Sequence, residues 1–323
     1  TANNLADIPR PLLDRMEVIE LSGYLETEKV EIAKRHLIPK QLEKHGLKKC
    51  QLTIADEAIV ELIRGYTHEA GVRELERETA AVCRKAAMDI GSGKARVRVG
   101  KQKLAAYLGA PKYTHGAIDA INEIGLANGL AWTSFGGETL QIEVQIVPGS
   151  GQVILTGKLG DVMQESAKAA LTFIKAHAEE FGITLPLDKK DIHLHVPEGA
   201  VPKDGPSAGI TIMTAMLSAL SGIPARADTA MTGEITLRGR VLEIGGLREK
   251  LLAAYRAGIK RVLIPKANEK DLSDVPDEVK ANMEIIGVAS AFDVIPLALE
   301  HTPQKTADAF IPQHAHSGAA AAQ

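Results

Sequence analysis

The sequence predicts a chain of the α+β class built from two units: a small, mainly helical one over residues 1–115 and a mixed one over 116–303, ahead of a tail at 304–323. Three observations carry this. Apolar residues recur at helical spacing in the first part, an alternation of apolar and polar residues opens the second, and strands and helices interleave from there on. Read alone, the mixed unit fits α+β or α/β equally.

In the helical unit, Val30, Ala33, Leu37, Ile38 and Leu42 mark one helix over 27–45, with Glu28 and Glu31 in its first turn and Gly46 as a stop. Asp56 is a natural N-cap for a second helix through Ile59, Val60 and Ile63. A third runs from about Gly71 to Asp89 and ends at Gly91-Ser92-Gly93. Val97/Val99 alternation and a segment from Lys103 to Leu108 complete the unit, and Pro111 with Tyr113 to Gly116 forms the linker. In the mixed unit, residues 139–147 alternate, Pro148-Gly149-Ser150-Gly151 turns the chain, and Gln152 to Thr156 follows, which predicts strand, turn and strand. Next come a helix at about 160–181, a strand at 191–196, a helix at 207–220, a strand at 240–244, a helix at 246–257, a strand at 261–264 and a helix near 290–299. The tail has no apolar period and is expected to be disordered.

Composition removes several classes. Among 323 residues only Cys50 and Cys83 are cysteines, with no Cys-x-x-Cys pair, so neither a disulfide framework nor a thiolate zinc site is expected, and a reducing compartment fits. No metal site is expected. No apolar run nears the roughly 20 residues of a membrane helix, so no membrane association is expected. The start at Thr1 has neither an initiator Met nor a signal-peptide pattern, and reads as a fragment with sequence missing upstream. Net charge is −3, divided as +4 over residues 1–115 and −7 over the remainder. Four surplus charges are too few for strong nucleic-acid binding; weak DNA contact through Lys40, Lys44, Lys48 and Lys49 stays open.

Chemistry concentrates in two segments. Ser207, in Pro202-Lys203-Asp204-Gly205-Pro206-Ser207-Ala208-Gly209, lies at a helix start, where unpartnered N–H groups and the positive dipole end suit an oxyanion. A serine there is also an ordinary cap. Lys250 falls on the apolar side of its helix beside Leu247, Ala254 and Ala257, away from Arg248, Glu249 and Arg256. A buried lysine with a depressed pKa can act as a base, whereas a lysine stem lying along apolar surface with its amine in water does nothing; the wheel does not choose between them. His193 and His195 share one strand face and could join Ser207 and Asp204 in a Ser-His-Asp set, form half a metal site, or simply line a polar face. Asp204 could instead complement a helix dipole. Neither Gly-x-x-x-x-Gly-Lys-Ser/Thr nor a strand-linked Gly-x-Gly-x-x-Gly occurs, so no nucleotide cradle is present.

These segments, together with Met231-Thr232-Gly233-Glu234-Ile235-Thr236-Leu237-Arg238-Gly239 and Gly245-Gly246-Leu247-Arg248-Glu249-Lys250, closely resemble the Lon protease family. The resemblance implies an AAA+ lid-type subdomain followed by an α+β peptidase domain. It implies a Ser207/Lys250 dyad, with Thr232 orienting the amine and Asp204 gating or positioning near the serine. Thr1-Ala2-Asn3-Asn4, the segment from Pro11 to Met16 and that from Gly71 to Leu75 resemble sensor-1, arginine-finger and sensor-2 segments, which makes Asn3, Arg15 and Arg73 nucleotide-sensing residues of a longer protein. The resemblance thus implies ATP and Mg as cofactors of that longer protein and none bound by this chain. Its implied partners are unfolded, misfolded or regulatory protein substrates and other copies of itself in a hexameric ring. Its implied compartment is the bacterial cytoplasm ahead of the mitochondrial matrix. A non-catalytic adaptor or nucleic-acid-binding module is the competing class.

Overall fold

The computed structural model describes residues 8–19, 23–113, 121–133, 136–197 and 203–304. The expected tail beyond Gln304 and the Thr114–Gly116 part of the expected linker lie outside them. After a single turn, α1 (Arg10–Leu13), the first long helical stretch begins as α2 (Glu26–Ile32), where Glu28 folds back to accept the Leu25 N–H at 2.7 Å. It does not run as one regular helix to residue 45. A widened π turn at Ala33–Leu37 separates α2 from α3 (Ile38–Lys44). Pro39 supplies the reason: its ring crowds the carbonyl four residues back and it has no N–H to give, so the turn ahead of it opens. β1 (Leu52–Ile54), α4 (Asp56–Tyr66), α5 (Arg73–Gly91), β2 (Val97–Val99) and α6 (Lys101–Leu108) follow, with β1 and β2 paired in parallel. Asp56 is the first residue of α4 rather than its cap. Its carboxylate pairs with Lys34 Nζ at 2.7 Å, and extended Ala55 occupies the cap position. Leu37, Leu62, Tyr66, Leu75, Val82 and Leu104 lie in the core of this unit.

The mixed unit is built on β3 (Leu126–Thr133), β4 (Gly136–Pro148), β5 (Val153–Thr156), β6 (Lys190–His195), β7 (Thr229–Met231), β10 (Arg261–Pro265) and β11 (Glu284–Val288). These form one seven-stranded sheet in the order β11-β10-β7-β3-β4-β6-β5. β8 (Glu234–Ile235) and β9 (Val241–Leu242) make a separate ribbon, into which the strand expected at 240–244 shrinks. The turn at 148–151 does not join neighbouring strands, because β6 lies between β4 and β5, antiparallel to one and parallel to the other. A parallel partner needs a crossover, and α7 (Asp161–Ala176) supplies it between β5 and β6.

The two sheet faces carry different helices. Ile142, Val144, Ile192 and Leu194 face a cluster with α7, α8 (Gly209–Ser221) and α11 (Ala291–Ala298). Leu130, Ala230, Val262 and Ile264 belong to a second cluster with α9 (Leu247–Arg256) and α10 (Asp277–Asn282). Leu25 of the helical unit enters this second cluster beside Leu247 and Leu251. Among the described residues no helix is long and apolar enough to cross a membrane.

Candidate active site

Gly205, at φ 127° and ψ 153°, turns the chain where a side chain would be strained, and Pro206 presets the following 3₁₀ turn, Pro206–Ala208, that leads into α8. Ser207 sits in that turn, half-buried. Its hydroxyl is not a cap: Ala208 holds the cap position of α8 and no side chain caps the helix. The main chain of Ser207 is pinned instead. Its carbonyl accepts from Gly233 N–H at 2.8 Å, and Gly233 carbonyl accepts from Ile210 N–H at 3.0 Å. Gly209 permits this closeness, since a Cβ there would lie 2.7 Å from Ile235 N.

Lys250 is buried in the first turn of α9, at 2% exposure, so the ammonium has lost its water. Burial alone pulls its pKa from 10.5 to about 8. Nζ donates to Thr232 Oγ1 at 3.0 Å, and Thr232 Oγ1 donates onward to the Ser207 carbonyl at 3.3 Å. Thr232 is itself fully buried and held by its N–H on Leu263 O at 3.0 Å. The helix start is fitted rather than capped: Gly246 is left-handed at φ 67°, and a Cβ on it would meet the Trp132 ring at 2.9 Å. The result is a desolvated amine linked through one hydroxyl to the main chain of a serine on another element.

Residues 98–301 match the model described as the Lon protease (S16) C-terminal proteolytic domain, and residues 43–99 match the Lon protease AAA+ ATPase lid domain. Lon protease of Nitratidesulfovibrio vulgaris is 57% identical over 303 residues, covering 93% of this chain and 37% of the relative. Lon protease of Escherichia coli K12 is 55% identical over 304 residues, covering 93% and 39%. The chain belongs to the Lon protease family. It combines the lid with an α+β proteolytic domain of that family and spans about two fifths of the length of the curated relatives it matches.

Against that Lon framework the remaining candidates separate. Asp204 does complement a helix dipole, but that of α7: its Oδ1 accepts from Met163 N–H at 3.1 Å and Gly205 N–H at 2.9 Å, over Gly160, where a Cβ would lie 2.3 Å from its carboxyl carbon. It thereby ties the loop before Ser207 to another helix. His193 Nε2 and His195 Nδ1 both contact Thr156 Oγ1, at 3.0 and 2.7 Å, and neither forms a hydrogen bond with Asp204 or Ser207. The Ser-His-Asp set is therefore not assembled, and among the described residues no group of three or more His, Cys, Asp or Glu side chains could hold a metal. Arg15 follows α1 and Arg73 opens α5; both are exposed, with no hydrogen bond or ion pair between them. Asn3 lies outside the described residues. Gly137 escaped the sequence reading: a Cβ there would lie 1.9 Å from the Glu249 carbonyl oxygen, so β4 runs flush against the turn carrying Lys250. The Gly136-Gly137 pair was its only signal.

Proposed function

We propose that this chain hydrolyses peptide bonds with Ser207 as nucleophile and Lys250 as general base. The observation that carries the reading is the Lys250 amine, buried without a carboxylate partner and held 3.0 Å from Thr232 Oγ1, which in turn contacts the Ser207 main chain. A lysine titrating near 8 offers a lone pair close to neutral pH. Among the described residues no hydrogen bond joins Ser207 Oγ to Lys250 Nζ, so the hydroxyl must swing onto the amine when substrate binds, as catalytic hydrogen bonds often do.

In the first step Ser207 Oγ bonds the scissile carbonyl carbon as its proton passes to Lys250 Nζ. Backbone N–H groups of the turn ahead of α8 hold the oxyanion. Collapse breaks the C–N bond, the leaving amine takes the proton from Lys250, and water then hydrolyses the acyl-serine with Lys250 again as base. Thr232 keeps the amine in place throughout, and Asp204 steadies the serine loop through its bonds to α7.

The substrates are unfolded, misfolded or regulatory proteins, and the working assembly is a hexameric ring in the bacterial cytoplasm; the family and the bacterial relatives support this. ATP with Mg would drive the longer protein, with Asn3, Arg15 and Arg73 sensing the nucleotide. The residues present do not fit that cofactor by themselves, because the sequence holds no phosphate-binding loop. No catalytic step here runs through it, and cleavage by this chain proceeds without nucleotide. The rival binding-module reading loses one of its four lysines, since Lys40 is occupied by Glu76 at 2.8 Å. Ser207→Ala tests the reading. Cleavage of an unfolded protein and labelling by a serine-directed covalent inhibitor should both vanish, while the thermal midpoint stays within a few degrees. Undiminished cleavage would sink the assignment.

A further inference from the structure

α9 carries Lys250 in its first turn and Arg256 at its end, and the two side chains serve different neighbours. Lys250 reaches inward to Thr232, while Arg256 Nη2 donates to the Gly137 carbonyl at 2.7 Å. Gly137 therefore meets α9 twice, since its Cα also lies flush against the peptide joining Glu249 to Lys250. The helical unit closes over the same place. His68 Nε2 pairs with Glu138 at 3.2 Å, Ala70 lies against Gly136, and Arg248 Nη1 donates to Gly23 O at 3.4 Å. The charged groups acting on Arg256 are Glu26 and Glu138, Lys29 feels Arg256 in turn, and Arg256 also acts on His68.

We infer that Arg256 is a positioning residue for Lys250: it draws α9 onto Gly137 beneath the helical unit and so fixes how deeply the amine is seated beside Thr232. The inference rests on the Ser207/Lys250 reading for its link to activity. Arg256 stays charged at every working pH, so the contact is permanent, whereas the lysine it seats is sensitive to depth. Burial is the whole cause of the depressed Lys250 pKa, with no charged side chain contributing, so any loosening of α9 that admits water raises it.

The test uses the full chain and three variants, Arg256→Met, Arg256→Gln and Arg256→Lys. Two readouts are compared: Lys250 titration followed by NMR of carbon-13-labelled lysines, assigned with Lys250→Arg, and the pH profile for cleavage of a short fluorogenic peptide. Arg256→Met is expected to raise the Lys250 pKa by about one unit and to lower kcat about tenfold at pH 7.5 with KM unchanged. Arg256→Lys, which keeps a charged donor, should recover most of the loss. If the Met variant does not fold, Arg256→Gln, whose amide is too short to span the gap, should raise the pKa by at least about half a unit. An unshifted Lys250 in whichever of these folds overturns the positioning role, whatever the activity. A shifted Lys250 with an unmoved pH profile overturns the Ser207/Lys250 reading and leaves the positioning role standing.

Discussion

Among the described residues two lysines are buried, one in each unit, and they are held in opposite ways. Lys29, in the helical unit, gives its ammonium to the Glu69 carbonyl among the carboxylates of Glu26, Glu69 and Glu74. Lys250, in the mixed unit, has only the Thr232 hydroxyl. Burial draws both down to about 8, so burial alone does not make a base. A carbonyl oxygen can only accept, and nearby carboxylates favour the charged amine. Thr232 Oγ1 accepts from Lys250 while its own proton goes to the Ser207 carbonyl, so no carboxylate holds that amine charged and no donor occupies the lone pair it offers when neutral.

The largest expected effect breaks this comparison outright. Lys250→Arg should lower peptide cleavage on the order of a thousandfold or more, because a guanidinium does not give up its proton, while Lys29→Arg should leave cleavage within about threefold. If Lys250→Arg stays active, the role is electrostatic and the histidines return as bases. Cleavage by the doubly substituted His193→Gln, His195→Gln chain would then have to collapse.

The second effect sharpens it through pH. Below pH 8, kcat/KM should rise about tenfold per unit as Lys250 loses its proton, and then level off. Stability follows both lysines. Unfolded lysine titrates near 10.4 and the folded pair near 8, so between these values the unfolded chain binds more protons and stability rises with pH; below 8 the cost of two buried charges is fully present. Urea midpoints measured from pH 7 to 10 should show this rise. Lys29→Met should remove about half of it, leaving the Lys250 share, without moving the activity profile.

The smallest effect concerns the loop beside the serine. Asp204→Ala should cost about 1 kcal/mol through the lost α7 cap, read as a lower thermal midpoint, with cleavage reduced less than tenfold. A loss of all cleavage would make Asp204 part of the chemistry rather than an anchor.

The helical unit was legible because its contacts follow periodicity: Ala33, Leu37, Leu42, Ile59 and Ile63, which the spacing marks, all lie in its core. Its misreadings, the Pro39 π turn and the Asp56 cap, are local competitions that periodicity does not rank. Lys250 was legible for the same reason, as a charge on an apolar helix face. β3 went unread because four successive residues, Ala127 to Leu130, are buried and leave no alternation. The insertion of β6 between β4 and β5, and the reach of Asp204 back to α7, join segments some 40 residues apart, a range at which sequence spacing carries no register.

Thr232 is steadied by Leu263 on β10, a strand that follows Lys250 in the chain. Its hydroxyl therefore comes to rest only after Ser207 and Lys250 have both been synthesised and the strand beyond them has docked. A chain still on the ribosome, or one whose sheet has come apart, holds the serine and the lysine without the hydroxyl that seats the amine. On the proposed reading, the seat for the amine is therefore among the last parts of the site that the chain can complete.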